Sequence, residues 1–306
     1  MFRFLISLYF LCLFSAFVVA QTPEQKVLID AGILKAKLGD YKAAIVDFDQ
    51  AILLDSNVAE PWYNRGIARS DMGDNKGAIS DFTRVIVLRP AYPEPWYNRG
   101  LARDYLKDYA GAIADYSKAI ALKSNFPEAY HNMGLARYDL NSFREAEMDF
   151  TRALQFKPDF TEALYNRGLS RFSQQNFNGA IQDFNEAIKL DTNQYEYFSS
   201  RGAAKAASGN YEDAIYDFSI ALVINEGDLN SRLNKALAYL YLKNYQEAIA
   251  EYDRILQMIP DHPDALTNRG VAYQYSGDKE AACNDWKVAS EKGSDKARGY
   301  LLKFCD

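Results

Sequence analysis

The chain has 306 residues, a formal net charge of −6 and a hydrophobic content of 48%. This composition supplies enough apolar side chains for a continuous core, so it excludes a largely disordered chain. Acidic and basic residues are interspersed and form no basic stripe, which argues against a nucleic-acid partner, because phosphate binding needs clustered Lys and Arg.

The first predicted element is a signal peptide at residues 1–20. Arg3 supplies the positive end, residues 5–19 form an apolar run, and a small-residue cleavage site ends at Ala20. The run is short for a membrane span, although an uncleaved anchor is the alternative. We therefore expect an exported protein, in the periplasm, cell envelope or secreted, with no membrane span after cleavage. A eukaryotic secretory lumen is a further alternative. Residues 21–24 are predicted to be a short extension.

A repeat with a period of 34 residues occupies residues 25–292, without an insertion or deletion. Its eight copies start at residues 25, 59, 93, 127, 161, 195, 229 and 263, and positions are counted from these starts. A fixed period in this range indicates stacked units, none of which buries its apolar face alone. Each copy has two segments of about 13 residues with helical periodicity. Turns such as Gly39-Asp40 separate the segments, so each copy is predicted to be a helical hairpin.

Three positions of the repeat identify a family. Position 8 is Gly in seven copies, position 20 is Ala in all eight, and position 24 is always aromatic. With the Pro that ends several copies, at residues 90, 158 and 260, the pattern resembles the tetratricopeptide repeat from residue 25 to the end of the chain. The resemblance implies an all-α fold, a right-handed superhelical solenoid of eight helix-turn-helix repeats with a concave groove. Residues 293–306 are predicted to form a capping helix over repeat 8.

The chain departs from the family pattern at positions 7 and 11, where the family usually has Leu and Tyr. Each of these positions is basic in six copies, and every copy has a base at one of them. Position 23 is always acidic: Asp47, Asp81, Asp115, Asp149, Asp183, Asp217, Glu251 and Asp285. We predict a structural ladder of ion pairs between the two helices of each hairpin. An anion-binding strip is the alternative.

The cysteines predict a covalent cross-link at the end of the chain. Removal of the leader takes away Cys12 and leaves Cys283 and Cys305, each 11 residues from Ser294. Across an antiparallel hairpin the two therefore lie at about the same height. In an exported protein this spacing favours a structural disulfide between Cys283 and Cys305, and two buried free thiols are the alternative.

The sequence contains no recognisable catalytic constellation. Its two histidines, His131 and His262, lie in different repeats, which argues against a His–Cys nucleophile pair or a His-based metal site. There is no Gly-rich phosphate loop and no Gly-x-Ser-x-Gly motif. We therefore expect no enzymatic activity, no cofactor and no metal.

The candidate working surface is the concave groove, toward which the resemblance points position 6. Position 6 is Asn in six copies, and the row is similar to the asparagine ladder of O-linked N-acetylglucosamine transferase. Because an amide can both donate to and accept from a peptide backbone, the row is predicted to hold an extended peptide. The alternative is that these are consensus residues with a local structural role. The candidate residues in repeats 2–5 are Asn64, Asn98, Asn132 and Asn166, with Tyr63, Tyr97, His131 and Tyr165 as walls.

These observations predict a non-catalytic scaffold or adaptor that binds a protein or peptide partner of unknown identity and is monomeric without it. Position 2 is mostly acidic and would favour neutral or basic ligands if it lies near the groove. One alternative is a structural self-assembly module of the cell envelope, which sedimentation at several concentrations would reveal. Another is glycan binding by the Tyr-lined groove, which predicts retention on cell-wall polysaccharide.

Overall fold

The structure, a computed structural model, describes residues 22–305. The predicted signal peptide and Cys12 lie outside these residues. The described chain forms seventeen α-helices in consecutive helix-turn-helix pairs and contains no strand, which confirms the predicted all-α fold. None of its helices is both long and apolar enough to cross a membrane. The chain divides into two compact units at residues 166 and 167, and each unit is described by itself.

The first unit contains four complete hairpins and the start of a ninth helix. Its helices are α1 (Pro23–Lys37), α2 (Tyr41–Leu54), α3 (Ala59–Asp71), α4 (Asn75–Leu88), α5 (Pro93–Tyr105), α6 (Tyr109–Leu122), α7 (Pro127–Asp139), α8 (Phe143–Phe156) and the first residues of α9 (Thr161–Ser173).

The second unit continues from α9 to the end of the chain. Its helices are α10 (Phe177–Leu190), α11 (Tyr195–Ala207), α12 (Tyr211–Ile224), α13 (Leu229–Tyr241), α14 (Tyr245–Met258), α15 (Pro263–Ser276), α16 (Lys279–Glu291) and α17 (Asp295–Phe304). The odd-numbered helices from α3 to α15 begin at residues 59, 93, 127, 161, 195, 229 and 263, where repeats 2 to 8 were predicted to start.

The turn inside each hairpin contains a left-handed residue, and in five repeats a side-chain cap follows it. Gly39 has a φ of 83°, and the carboxylate of the next residue, Asp40, accepts a hydrogen bond from the backbone N–H of Ala43. In four repeats a residue other than Gly takes the left-handed conformation, as in Lys107 with a φ of 62°. The turn geometry is therefore kept at a cost of about 1 kcal/mol for each such residue.

The core of each hairpin depends on a close approach between its two helices. A Cβ atom on Gly168 would lie 2.6 Å from the ring of Phe184, which leaves no space for any residue but Gly. The Ala at position 20 of the second helix is fully buried in all eight repeats. Small residues at positions 8 and 20 thus let the aromatic ring at position 24 fill the space between the helices.

The predicted ion-pair ladder is confirmed in both units, because the acid at position 23 of all eight repeats pairs with a base of its own hairpin. Asp217 is fully buried, and its two oxygens lie 2.6 Å from Arg201 Nη2 and 2.8 Å from Lys205 Nζ. Asp149 has only Arg137, at 2.8 Å, because Met133 replaces the base at position 7. Burial raises the pKa of Asp149 to about 7, although Arg137 acts in the opposite direction.

The arginine at position 7 also contacts the preceding repeat, which the sequence analysis missed. Arg99 binds Asp115 in its own repeat, and its Nη1 donates to Thr83 Oγ1 of the preceding second helix at 3.0 Å. The same contact to position 25 recurs in other repeats: Arg65 with Asp49, Arg201 with Asn185, and Arg269 with Asp253. One guanidinium therefore connects three helices. A signal was present, since position 25 holds a short polar residue in the first seven repeats.

The last helix closes the second unit. The ring of Tyr300 on α17 lies 5.1 Å from the ring of Trp286 on α16, and Ala297 is fully buried in the same cluster. Cys283 on α16 and Cys305 at the end of α17 are joined, with a Cα–Cα distance of 5.8 Å. α17 thus covers the apolar face of repeat 8.

Removal of a doubly paired acid should be costly. Asp217→Ala would leave Arg201 and Lys205 as uncompensated, largely buried charges, so we expect a loss of about 3–5 kcal/mol in the free energy of unfolding. Asp47→Ala is the matched control at the same position of repeat 1, where Lys35 is 42% exposed and the expected loss is under about 1 kcal/mol. Urea denaturation measures both, and equal losses would contradict a buried ladder.

The disulfide is tested by intact-mass spectrometry of the protein purified without reductant. Reduction should raise the mass by two hydrogen atoms, and unreduced protein should resist thiol alkylation. Because the bond closes a loop with a sequence separation of 22, reduction should remove about 3 kcal/mol of stability from the last hairpin. An unchanged mass on reduction would favour two free thiols.

Candidate functional site

The candidate groove residues lie on the first helices α3, α5, α7 and α9, all within the first unit. Asn98 and Asn132 are partly exposed, whereas Asn64 and Asn166 are buried. The predicted row is thus present as a series of equivalent positions, but its members differ in their access to a ligand.

The asparagines form hydrogen bonds from one repeat to the preceding one. Asn98 Nδ2 donates to the hydroxyl of Tyr63 at 2.9 Å, and Asn132 Nδ2 donates to the hydroxyl of Tyr97 at 2.9 Å. Asn166 Nδ2 lies 3.1 Å from His131 Nε2 in the next repetition of the same contact. In repeats 3, 4 and 5 the residue at position 6 therefore fixes the residue at position 5 of the repeat before it, which is a local structural role.

The ring at position 5 is not a groove wall in every repeat. Tyr63 and His131 are only 2% and 3% exposed, so these two predicted wall residues offer little surface to a ligand. Tyr63 packs 5.8 Å from the ring of Tyr92, and His131 packs 4.7 Å from the ring of Phe160. Each of these rings therefore packs against the aromatic residue that directly precedes the next first helix. Tyr97 and Tyr165 remain partly exposed.

Burial shifts the pKa values of the tyrosine and histidine side chains at position 5 and so determines their protonation. It raises the pKa of Tyr63 and Tyr97 well above the ordinary value. Burial lowers the pKa of His131 to about 4, so the imidazole is neutral at pH 7. A neutral His131 can accept the hydrogen bond from Asn166 at Nε2 and carry its own proton on Nδ1.

The acids at position 2 lie near the same contacts. Burial is the main cause of the raised pKa of Tyr63, Tyr92 and Tyr97. The charge of Glu94 adds to it at Tyr63 and Tyr92, and that of Glu128 adds to it at Tyr97. Lys123 Nζ lies 4.0 Å from Glu94, and this distance is at the limit of an ion pair. The acidic row therefore adjoins the asparagine–tyrosine contacts. Within residues 22–305, no three His, Cys, Asp or Glu side chains are grouped as metal ligands.

This arrangement defines a helical-repeat protein whose first helices carry a regular row of polar side chains. Models of the tetratricopeptide repeat match residues 26–58, 105–141, 127–160, 161–194 and 233–286. The chain belongs to the tetratricopeptide repeat family, whose members are generally non-catalytic. No curated protein sequence matches the chain significantly.

Solved structures with the same fold include a tetratricopeptide repeat protein from Parabacteroides merdae, with 20% identity and a TM-score of 0.59, over 81% of this chain and 99% of that one. A crystal structure of MamA is similar over 53% of this chain and 94% of its own, with 25% identity and a TM-score of 0.52. YrrB, described as a tetratricopeptide repeat protein with an unusual peptide-binding site, is similar over 60% of this chain and 95% of its own, with 19% identity and a TM-score of 0.55.

His131 should make the fold sensitive to acid. The unfolded chain binds a proton on this residue below about pH 6.5, whereas the folded chain does so only below about pH 4. Stability contributed by neutral His131 is therefore lost as the pH falls from about 6.5 to about 4, by roughly 3 kcal/mol.

The comparison variant is His131→Tyr, which introduces the residue found at the same position of repeats 2 and 3. Wild type should lose stability relative to this variant over that pH range, measured by urea denaturation at each pH. Parallel pH profiles for the two proteins would contradict the assignment.

Proposed function

We propose that the chain is a non-catalytic interaction scaffold that holds an extended segment of another protein in the groove of repeats 2–5. The carrying observation is the fixed orientation of Asn98 and Asn132, each held by one hydrogen bond to a tyrosine of the preceding repeat. An asparagine amide has two hydrogens and one oxygen. One bond to tyrosine therefore leaves a donor and an acceptor for a peptide backbone.

Preorganisation makes this use of the amides favourable. A side chain that is already fixed loses little conformational freedom when a ligand binds, so more of the hydrogen-bond energy contributes to affinity. The same contact thus serves the array and the ligand. The unusual peptide-binding site described for YrrB supports a peptide as the ligand class, because both chains share the fold.

The groove chemistry favours a neutral or basic segment. Glu94 and Glu128 lie beside the tyrosines that the asparagines hold. An acidic ligand would meet these carboxylates, whereas a lysine or arginine side chain of the ligand would pair with them.

We further propose that the protein works outside the cytoplasm, in the periplasm or cell envelope or as a secreted protein. The support is the leader-like sequence of residues 1–20 and the joined Cys283 and Cys305, because disulfides persist in oxidising compartments. A mature chain that begins at Gln21, read by N-terminal mass spectrometry of the native protein, is the expected result. A chain that still begins at Met1 would contradict cleavage.

The groove is tested with three forms of the exported chain used as bait in an envelope extract. The first is wild type, and the second carries Asn98→Ala and Asn132→Ala. The third carries Tyr63→Phe and Tyr97→Phe, which removes the same two hydrogen bonds between repeats but leaves both amides in place. Mass spectrometry identifies a captured partner, and calorimetry then measures its affinity for each form.

We expect the double asparagine variant to bind the partner at least about tenfold more weakly, because two hydrogen bonds to the ligand are lost. The tyrosine variant should bind only a few-fold more weakly than wild type, because it loses the preorganisation of the amides but keeps their bonds to the ligand. Equal affinity for all three forms would mean that the asparagines serve only the array. Equal weakening of both variants would assign the effect to packing and contradict recognition by the amides.

A further inference from the structure

The face that each repeat turns toward its predecessor is built in one way in repeats 2–8. Positions 3 and 10 of the first helix are buried in all seven, and position 10 is always Ala or Ser. In repeats 2 and 3 the residue at position 10 packs on the second helix of the preceding repeat, Ala68 beside Phe48 and Ala102 beside Phe82. Small residues at position 10 therefore belong to a face that another helix covers.

Repeat 1 departs from this pattern at every position that would contact a predecessor. Positions 3 and 10 are Val27 and Leu34, which are 67% and 61% exposed. Position 6 is Asp30 in place of the usual Asn, and position 7 is Ala31 in place of the bridging arginine. With Leu38, which is 78% exposed, an apolar stripe runs along one side of α1.

We call Val27, Ala31, Leu34 and Leu38 the α1 stripe. Its members are spaced by four, three and four residues, the spacing of the core positions of a two-helix coiled coil. End repeats of a solenoid usually present a polar outer face. At the other end of the chain, repeat 8 has α17 over its apolar face. The α1 stripe is instead large and apolar, which indicates that it is covered in the working protein.

We propose that the α1 stripe is the interface of a homodimer, in which α1 packs antiparallel against α1 of a second copy. A two-fold axis between Gly32 and Ile33 places Val27 opposite Leu38 of the second copy and Ala31 opposite Leu34. Every apolar member then meets an apolar member, and the small Ala31 lets the helices approach closely. A self-complementary patch of this kind forms an isologous interface that closes at two copies.

Charge complementarity selects the second copy and its direction. Asp30 and Lys37 flank the same side of the α1 stripe, both are exposed, and neither has a charged partner within residues 22–305. In the antiparallel arrangement each Asp30 lies beside Lys37 of the other copy, and the symmetry makes this pair twice. A parallel arrangement would leave Asp30 of one copy and Lys37 of the other about two helical turns apart, so it would form neither pair.

The sequence predicted a monomer only because an adaptor was expected to be monomeric without its partner. A dimer of this kind replaces that expectation. It also differs from open-ended self-assembly, because the interface is fully occupied once two copies have bound. The α1 stripe contains none of the candidate groove residues on α3, α5, α7 and α9. Dimerisation and partner binding can therefore be tested separately.

The test is sedimentation velocity of the exported chain over a range of concentrations, after mass spectrometry has defined its N-terminus. The mass should rise from one chain to two as the concentration increases and should not exceed two. Leu34→Glu should raise the dimer dissociation constant at least about 100-fold, because the substitution places two carboxylates in the interface. Val223→Glu is the matched control, since Val223 is 86% exposed in repeat 6 and its substitution should leave the dimer unchanged.

A charge reversal tests the antiparallel register. Asp30→Lys should weaken the dimer, and the double variant Asp30→Lys with Lys37→Asp should restore it. Circular dichroism should show the same melting behaviour of the monomeric fold in all variants, because the substituted residues are exposed. A monomer at every concentration, including one whose retained leader covers the stripe, would overturn the proposal. Association beyond two chains, equal effects of Leu34→Glu and Val223→Glu, or a failure of the double variant to recover would also overturn it.

Discussion

The fold depends on a buried carboxylate that is held by a guanidinium. In both units the acid at position 23 lies in the narrow space between two helices, where a charge without a partner would be strongly unfavourable. Where position 7 is arginine, it supplies a partner and can also reach position 25 of the preceding second helix, as Arg65 does with Asp81 and Asp49. The interaction that compensates the buried charge therefore also joins one repeat to the next. Removal of such an arginine would affect two interfaces at once.

Much of the hairpin was predictable from the sequence because its determinants are local or periodic. The Gly at position 8, the Ala at position 20 and the aromatic residue at position 24 define one close contact, and their 34-residue spacing gives the helix starts. The ion pairs were predictable for the same reason, since an acid and a base recur together in each copy. Contacts between repeats were not predictable in this way. Nothing in the sequence of Tyr63 and Asn98 says that the amide of one binds the hydroxyl of the other.

The candidate groove illustrates the same limit. The sequence places asparagine at position 6, but only the packing decides which amides are accessible. Asn98 and Asn132 remain partly exposed, whereas Asn166 is buried against His131. Repeat 4 is also the place where two titratable groups respond oppositely to burial. The pKa of Asp149 is raised to about 7 and that of His131 is lowered to about 4. Between pH 7 and pH 4, a fall in pH stabilises the fold through Asp149 and destabilises it through His131. In the wild-type protein the two changes in stability therefore partly cancel.

The position of the bridging arginine along the chain has a consequence for how this protein can vary in length. Arg65 is separated by 16 residues from Asp81 and by 16 residues from Asp49, so it lies midway between its two acceptors. A residue inserted into a helix between Arg65 and one of its acceptors would rotate that acceptor by a helical step of about 100°. The two bonds of such an arginine thus constrain the number of residues on both sides of it. The array can lengthen or shorten by whole copies of 34 residues, which preserve both distances, whereas a single-residue insertion within these helices would break a bond on one side.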